Sequence, residues 1–283
     1  KALGEGREGY EQMVRSSNLG KCVDIGLAAV DWEKKRKSAG SALAGPIQRG
    51  IGMAIVMHGS GVAGLDMGSA TIKMNDDGSF NLFVGATDLG TGSDTILAQI
   101  AAEVLGTRVE DFVVYSSDTD FTPFDKGAYA SSTTYISGEA VRRTAVKVAD
   151  QIKEQAKLIA GVETVDGMEL RDGHVWLPDG SSVPFREVAL SSLHMLDQHQ
   201  IIASGSSMSY ESPPPFAAQF VEVAVDVETG QVVVERALMV ADIGRVINPI
   251  TAAGQVEGGM VQALGFAHCE EMVYDEAGRL ANP

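Results

Sequence analysis

Ala70-Thr-Ile-Lys-Met-Asn-Asp-Asp-Gly-Ser79, followed by Gly85-Ala-Thr-Asp-Leu-Gly-Thr-Gly92 and Gln99-Ile-Ala-Ala-Glu-Val-Leu-Gly106, is the stretch that decides the fold. Apolar–polar alternation predicts strands over 70–75 and 79–85, joined at Asp77-Gly78, a pair suited to tight hairpins. Ile96, Ile100, Ala101 and Val104 then share one face of a helix over 93–106, which closes on Leu105-Gly106 as a C-cap. The pattern recurs as Val221-Glu-Val-Ala-Val-Asp-Val-Glu-Thr-Gly230, Ala241-Asp-Ile-Gly244 and Gln262-Ala-Leu-Gly265. Each copy reads as strand, acidic glycine turn, strand, Asp-(Leu/Ile)-Gly loop, and helix ending on Leu-Gly, although the spacings differ. Glycine loops ahead of helices in two such units imply two halves converging on one ligand.

The chain has 283 residues, enough for one large domain or two modest ones with real cores. Lys and Arg number 22 against 38 Asp and Glu, a net charge of −16. That balance disfavours a sequence-independent grip on nucleic acid, and equally an anionic membrane surface. Solubility alone accounts for it as well as any function does. Cys22 and Cys269 lie far apart in no metal-type spacing, so the chain is expected to carry no cysteine-ligated cluster or zinc finger. Their scarcity fits a reducing cytoplasm. No apolar run approaches the roughly 20 residues that span a bilayer, and no signal peptide is visible. A start at Lys1 and a stop after Gly278-Arg-Leu-Ala-Asn-Pro283 lead us to expect a piece of a longer polypeptide.

Within residues 5–36, Tyr10, Met13, Val14, Cys22, Ile25, Ala28, Ala29 and Trp32 recur at roughly helical spacing. The basic run Glu33-Lys-Lys-Arg-Lys37 reads as a solvated helix end in preference to a nucleic-acid patch. A buried strand is predicted over 49–57, a flexible loop over 59–64, and a strand over 113–117 followed by a loop over 118–127. A helix is expected from near Ser137 to about Ala160. Short strands follow over 162–185, with turns at 171–173 and 178–180. Glu211-Ser-Pro-Pro-Pro215 breaks regular structure. The last helix, about 252–265, carries Gly258-Gly259, which permits close backbone approach.

Three segments bear on chemistry. Gly90-Thr-Gly92 before a helix offers N–H groups to an anion, although a plain turn reads as well. Gly127-Ala-Tyr-Ala-Ser-Ser-Thr-Thr134 is rich in small donors and suits either a polar cofactor or a capped helix start, the second being preferred on these residues alone. Gly254-Gln-Val-Glu-Gly-Gly259 places an amide between glycines, suited to two-point bonding with a heterocycle or to a close-packed helix. His58, His174, His194, His199 and His268 form no ligand cluster, and no Ser–His–Asp arrangement stands out. Asp118, Asp120 and Asp125 could hold a cation, but a solvated or capping loop is favoured.

Taken in order, Gly85–Gly92, Asp125-Lys-Gly-Ala-Tyr-Ala-Ser-Ser-Thr-Thr134, and Asp242-Ile-Gly-Arg-Val-Ile-Asn-Pro249 with Gly254–Gly259 resemble the molybdenum-cofactor-binding part of the xanthine dehydrogenase/aldehyde oxidase family. Arg49-Gly-Ile-Gly-Met-Ala54 and Phe220–Asp226 are similar to family strands. The resemblance covers nearly the whole chain, more loosely before about residue 45 and between 160 and 210. It implies part of a hydroxylase that inserts a water-derived oxygen into a C–H bond of an N-heterocycle (purine- or nicotinate-like) or an aldehyde. A protein carboxylate acts as base in such enzymes, and the cofactor does the hard chemistry.

Carried over by the resemblance, the cofactor-binding residues are Gly90, Thr91, Gly92, Ala130, Ser131, Thr133 and Gln255. Thr91 departs from the usual glutamine and loses its two-point contact. The cofactor implied is molybdopterin with molybdenum, in its cytosine dinucleotide form. Iron–sulfur (2Fe-2S) and FAD groups are expected on other domains or subunits, which, with the rest of the molybdopterin subunit, are the implied partners. The family's catalytic glutamate matches no residue here, so no catalytic and no metal-ligating residue is assigned and the chain alone is expected to be inactive. The other readings are a non-catalytic cofactor-cradling or assembly subunit and a degenerate structural homologue. The fold expected is α+β: two related β/α units with mixed sheets and packed helices around a cofactor groove. Residues 1–48 are expected as a helical lead-in, 49–210 as the first unit and 211–283 as the second.

Overall fold

In the computed structural model, which describes residues 14–38, 45–195 and 197–282, the Asp77-Gly78 turn forms as its chemistry requires. Gly78 takes φ +90°, and the Asp77 carboxylate accepts the Ser79 N–H at 2.9 Å. The elements in chain order are α1 (Leu19–Ala29), α2 (Trp32–Ser38), β1 (Ile47–Met57), β2 (Met67–Met74), β3 (Phe80–Val84), α3 (Ser93–Leu105), β4 (Phe112–Ser116), α4 (Thr133–Ala160), β5 (Glu169–Arg171), β6 (His174–Trp176), β7 (Ser182–Pro184), α5 (Phe185–His194), β8 (Ile202–Met208), β9 (Phe216–Asp226), β10 (Val232–Asp242) and α6 (Pro249–His268). The chain is α+β, as expected, with one mixed sheet, β4-β3-β2-β8, and two antiparallel ones. Tyr10 and Met13 lie outside the described residues.

Two units divide the chain: Gly59–Pro213, and Val14–His58 with the segment from Pro214 onward. In the first, the sheet order is β4-β3-β2-β8. β2 is antiparallel to both β3 and β8, whereas β3 and β4 are parallel, with α3 as their crossover. The α4 helix lies along β2 and β8 and against α3. Ile72 and Leu82 from the sheet, Leu97 and Leu105 from α3, and Val141 and Ile152 from α4 are fully buried there. Each such side chain contributes about 1.5–3 kcal/mol by leaving water. Gly138 lets the two helices approach: a Cβ there would stand 2.9 Å from Ile100 Cδ1. The α3 helix stops at Gly106, left-handed at φ +61°, as its Leu-Gly ending foretells.

Several stretches depart from the sequence reading. Strand β1, expected to be buried, is buried only at Ile51 and leaves Met53, Ile55, Val56 and Met57 exposed. The α4 helix begins at Thr133, a turn before the expected Ser137. The α5 helix and strand β8 had no expected counterpart. The second is hydroxyl-rich and pairs with β2 through side chains as well as backbone: Ser69 Oγ lies 2.9 Å from Ser206 Oγ, and Thr71 Oγ1 lies 2.7 Å from Ser204 Oγ.

In the second unit β1, β9 and β10 form an antiparallel sheet with α1 and α2 packed on it. Pairing of β1 with β9 draws 47–57 to the C-terminal segment, not to the residues that follow it in sequence. Cys22, Val30, Ile51, Ala218 and Phe220 form its core. Gly26 is obligatory beneath Phe220, whose ring fills the space of any Cβ. The basic run lies on α2, where Lys35 Nζ bonds Glu222 at 2.6 Å and the Arg36 guanidinium sits 5.9 Å over Trp32. Both copies of the sequence pattern become hairpin, loop and helix: β2-β3-α3 and β9-β10-α6.

Candidate functional site

Sheet direction brings four connections of the first unit to one edge: 59–66 before β2, 85–92 after β3, 117–132 after β4, and 209–213 after β8. Both α3 and α4 start from this edge, so their positive dipole ends face it. The carboxyl edge of parallel strands is where open α/β sheets bind ligands.

Within 85–92, Asp88 organises the turn. Its Oδ1 accepts Gly90 N–H at 2.9 Å and Gly92 N–H at 3.2 Å, and Oδ2 accepts Asp94 N–H at 3.4 Å. Partial burial pushes the Asp88 carboxyl up, but the backbone donors of Asp94, Gly92, Gly90 and Thr91 together outweigh it and hold the group below the usual carboxylate range. The N–H groups that sequence reading offers to an external anion are therefore turned onto Asp88. Gly90 and Gly92 are left-handed, at φ +87° and +76°, which is what lets the amides converge. A Cβ on Gly90 would meet nothing, so this loop is open outward.

The 125–132 loop is built more tightly. Asp125 Oδ1 accepts Gly127 N–H at 2.8 Å, and Oδ2 accepts the Ser137 hydroxyl at 2.6 Å. Asp125 thus caps its own loop, as Asp118 does by accepting Asp120 N–H at 2.9 Å. Among the described residues no three His, Cys, Asp or Glu converge as metal ligands. Ala130 and Ser131 are both left-handed without being glycine, at φ +52° and +54°. Such residues cost on the order of 1–3 kcal/mol each and persist where surroundings over-determine them, commonly at functional sites. Gly61 N–H donates to Ala130 O at 2.7 Å and holds this loop against 59–66.

Four buried side-chain oxygens lack a hydrogen-bond partner among the described residues, and three of them, Asp66 Oδ1, Ser93 Oγ and Asp94 Oδ1, belong to this edge. Each unmatched group costs about 1–3 kcal/mol, so their concentration marks a place where stability is given up. Asp66 is 2% exposed; its Oδ2 accepts Val62 N–H at 2.6 Å. The neighbouring Asp66 carboxylate raises the Tyr129 pKa. Leu65, Leu89, Phe121, Phe124, Tyr129 and Tyr210 all stand exposed on the same four connections.

This edge gathers Gly90, Thr91, Gly92, Ala130, Ser131 and Thr133. Gln255 belongs to the other unit, exposed on α6. That helix is capped by Asn248, whose Oδ1 accepts Ile250 N–H at 3.0 Å and Thr251 N–H at 3.2 Å, with Pro249 at its first turn. No residue of α6 is buried, and Cβ atoms at Gly254, Gly258 and Gly259 would meet nothing, so close packing is not what these glycines serve within the described residues. Sequence reading singles out neither Asp66 nor Asp88; for Asp125 it weighs a cation site against a capping loop and favours the loop, which is what the structure shows. The repeated Asp-x-Gly of 88–90, 125–127 and 242–244 is the signal that finds the last two: in each, the carboxylate accepts the glycine N–H.

Residues 26–283 match the family model described as molybdopterin cofactor-binding domain. The chain is 33% identical over 278 residues to a xanthine dehydrogenase molybdenum-binding subunit of Escherichia coli, covering 95% of this chain and 37% of that one. It is 29% identical over 255 residues to an aldehyde oxidoreductase molybdenum-binding subunit of the same species, covering 90% and 33%. The crystal structure of quinoline 2-oxidoreductase from Pseudomonas putida 86 superimposes with a TM-score of 0.87 at 25% identity, over 96% of this chain and 37% of that one. The chain thus spans about a third of the length of these relatives.

Proposed function

This chain belongs to the molybdopterin cofactor-binding domain family, and on that premise we propose that it cradles the pterin–molybdenum cofactor of an oxidoreductase that hydroxylates a nitrogen heterocycle. The observation carrying this reading is the loop edge of the first unit, where a strained Ala130–Ser131 pair and three unmatched buried oxygens meet at the starts of two helices. Such an edge fits a large group with a polar rim. The cofactor supplies the redox centre at which water-derived oxygen replaces a C–H hydrogen.

The residues we assign to hold it are Gly90, Thr91, Gly92, Ala130, Ser131, Thr133 and Gln255. Thr91, Ser131 and Thr133 offer hydroxyls, and the Gln255 amide offers a donor and an acceptor together. Gly90 and Gly92 act by bareness and shape, since Asp88 takes their N–H groups. Several of the edge's own carboxylates are engaged in holding the loops. Asp88 is held deprotonated by backbone donors, Asp125 is bonded on both oxygens, and Asp94 accepts the Ser116 hydroxyl at 3.1 Å. That the proton-accepting carboxylate comes from outside these residues, and that the chain alone is inactive, is what the resemblance to the family implies.

A cytosine dinucleotide form of the cofactor, iron–sulfur and FAD groups on partner domains or subunits, and a cytoplasmic location complete the proposal. No described helix is long and apolar enough to cross a membrane. A nitrogen heterocycle is favoured over an aldehyde because the relative named for xanthine is 33% identical and the one named for aldehyde 29%. Assay of the complete native protein with purine, quinoline and nicotinate against aliphatic aldehydes tests this. Turnover of the heterocycles supports it; turnover of aldehydes alone overturns the substrate class, and bound cofactor without any turnover leaves a cradle only.

A further inference from the structure

Asp125 sits in a slot that two strands keep free for it. A Cβ on Gly68 of β2 would stand 2.8 Å from Asp125 Oδ2 and 2.7 Å from Ser137 Oγ, and one on Gly85, just past β3, would stand 2.7 Å from Asp125 Cβ. From this slot Asp125 grips Gly127 N–H at 2.8 Å and the hydroxyl of Ser137 at 2.6 Å, a residue only 3% exposed in α4. The next residue is tied as well, Lys126 N–H donating to Met67 O at 3.2 Å. Downstream, Ala130 O accepts Gly61 N–H at 2.7 Å, and Gly61 O in turn accepts the Ser212 hydroxyl at 2.8 Å. The Asp125–Ser137 bond closes the 125–137 segment, and within it lie the left-handed Ala130, which Gly61 holds, and Ser131. We propose that Asp125 and Ser137 are positioning residues that hold the Ala130–Ser131 pair in its strained conformation toward the cofactor. The cofactor part of this inference rests on the function proposed above; the clamp itself does not.

The test uses the complete native protein and its Ser137→Ala and Asp125→Asn variants, with Ser204→Ala as a control that removes a hydroxyl from β8 on the same sheet. Ser137→Ala keeps the buried volume, and Asp125→Asn keeps an acceptor for Gly127 N–H. Three quantities are read: amide hydrogen exchange over 127–132, molybdenum per subunit, and the molybdenum EPR spectrum. Faster exchange is expected in both variants but not in the control. Molybdenum affinity should fall about tenfold in Ser137→Ala, as when a residue orienting a metal-site group is removed, with an altered spectrum in the molybdenum that stays. Unchanged exchange in the two variants overturns the clamp. Faster exchange with parental molybdenum content and spectrum overturns its role toward the cofactor. A parent protein that holds no molybdenum overturns the function proposed above, while exchange still decides the clamp.

Discussion

Gly61 N–H donates to the Ala130 carbonyl at 2.7 Å, tying the turn before β2 to the only adjacent pair of left-handed non-glycine residues among those described. A strained pair fixed by a bond from a neighbouring connection is pre-shaped, so a ligand meeting it need not order it first. This contact, not the glycine loop alone, is why the edge of the first unit carries the functional reading.

Gln255 is exposed on α6 and bonded to no described side chain that would hold it in place for another purpose. In the complete protein, Gln255→Ala should lower cofactor affinity about tenfold, about 1.4 kcal/mol, read as molybdenum retained after dialysis. Parental retention would remove Gln255 from the site.

Thr91 lies half-buried in an outward-open loop with space around Gly90. Thr91→Gln therefore fits without repacking and restores an amide with two bonding points. Retention of the cofactor should rise. Unchanged retention would mean that this loop does not face it.

Asp88 gives a pH signature. Its folded pKa is lowered, so its stabilising contribution is complete above the ordinary carboxylate value of about 3.9 and is lost as pH falls through the folded value. Asp88→Ala should cost about 1 kcal/mol at neutral pH, as loss of a helix cap does, and flatten the acid limb of the stability curve. An acid limb identical in variant and parent would show that the carboxylate contributes nothing there.

Gly106 ends α3 at φ +61°, and a Cβ there would be driven into the Leu170 carbonyl. Gly106→Ala should cost at least about 1–2 kcal/mol for the left-handed backbone alone, lowering Tm by roughly 2–8 °C. A Tm within a degree of the parent would contradict the packing of α3 on β5.

Local chemistry made much of the fold legible. Asp77-Gly78 and Leu105-Gly106 need only a turn and a cap, and both formed where their residues stand. What was not legible depended on partners far along the chain. Ile202-Ala-Ser-Gly-Ser-Ser-Met208 carries little apolar alternation, and becomes a strand because β2 presents hydroxyls to its serines. Likewise, nothing between Ile47 and Met57 announces β9 as its partner. At the site, glycines and small hydroxyl residues point to 85–92 and 127–134, segments that the sheet brings to one edge, since such residues mark backbone exposed to a ligand. Asp66 had no local signal: a carboxylate at 2% exposure looks in sequence like any surface acid. The amides of Gly90 and Gly92 are legible as donors, but nothing in that loop alone marks Asp88, two and four residues upstream, as their acceptor.

The most direct test of the central claim is the molybdenum and pterin content of the complete native protein carrying these residues, purified without chelator. One molybdenum and one pterin per copy is the result this account predicts. A folded protein with neither, from cells whose other molybdenum enzymes are loaded, would contradict it.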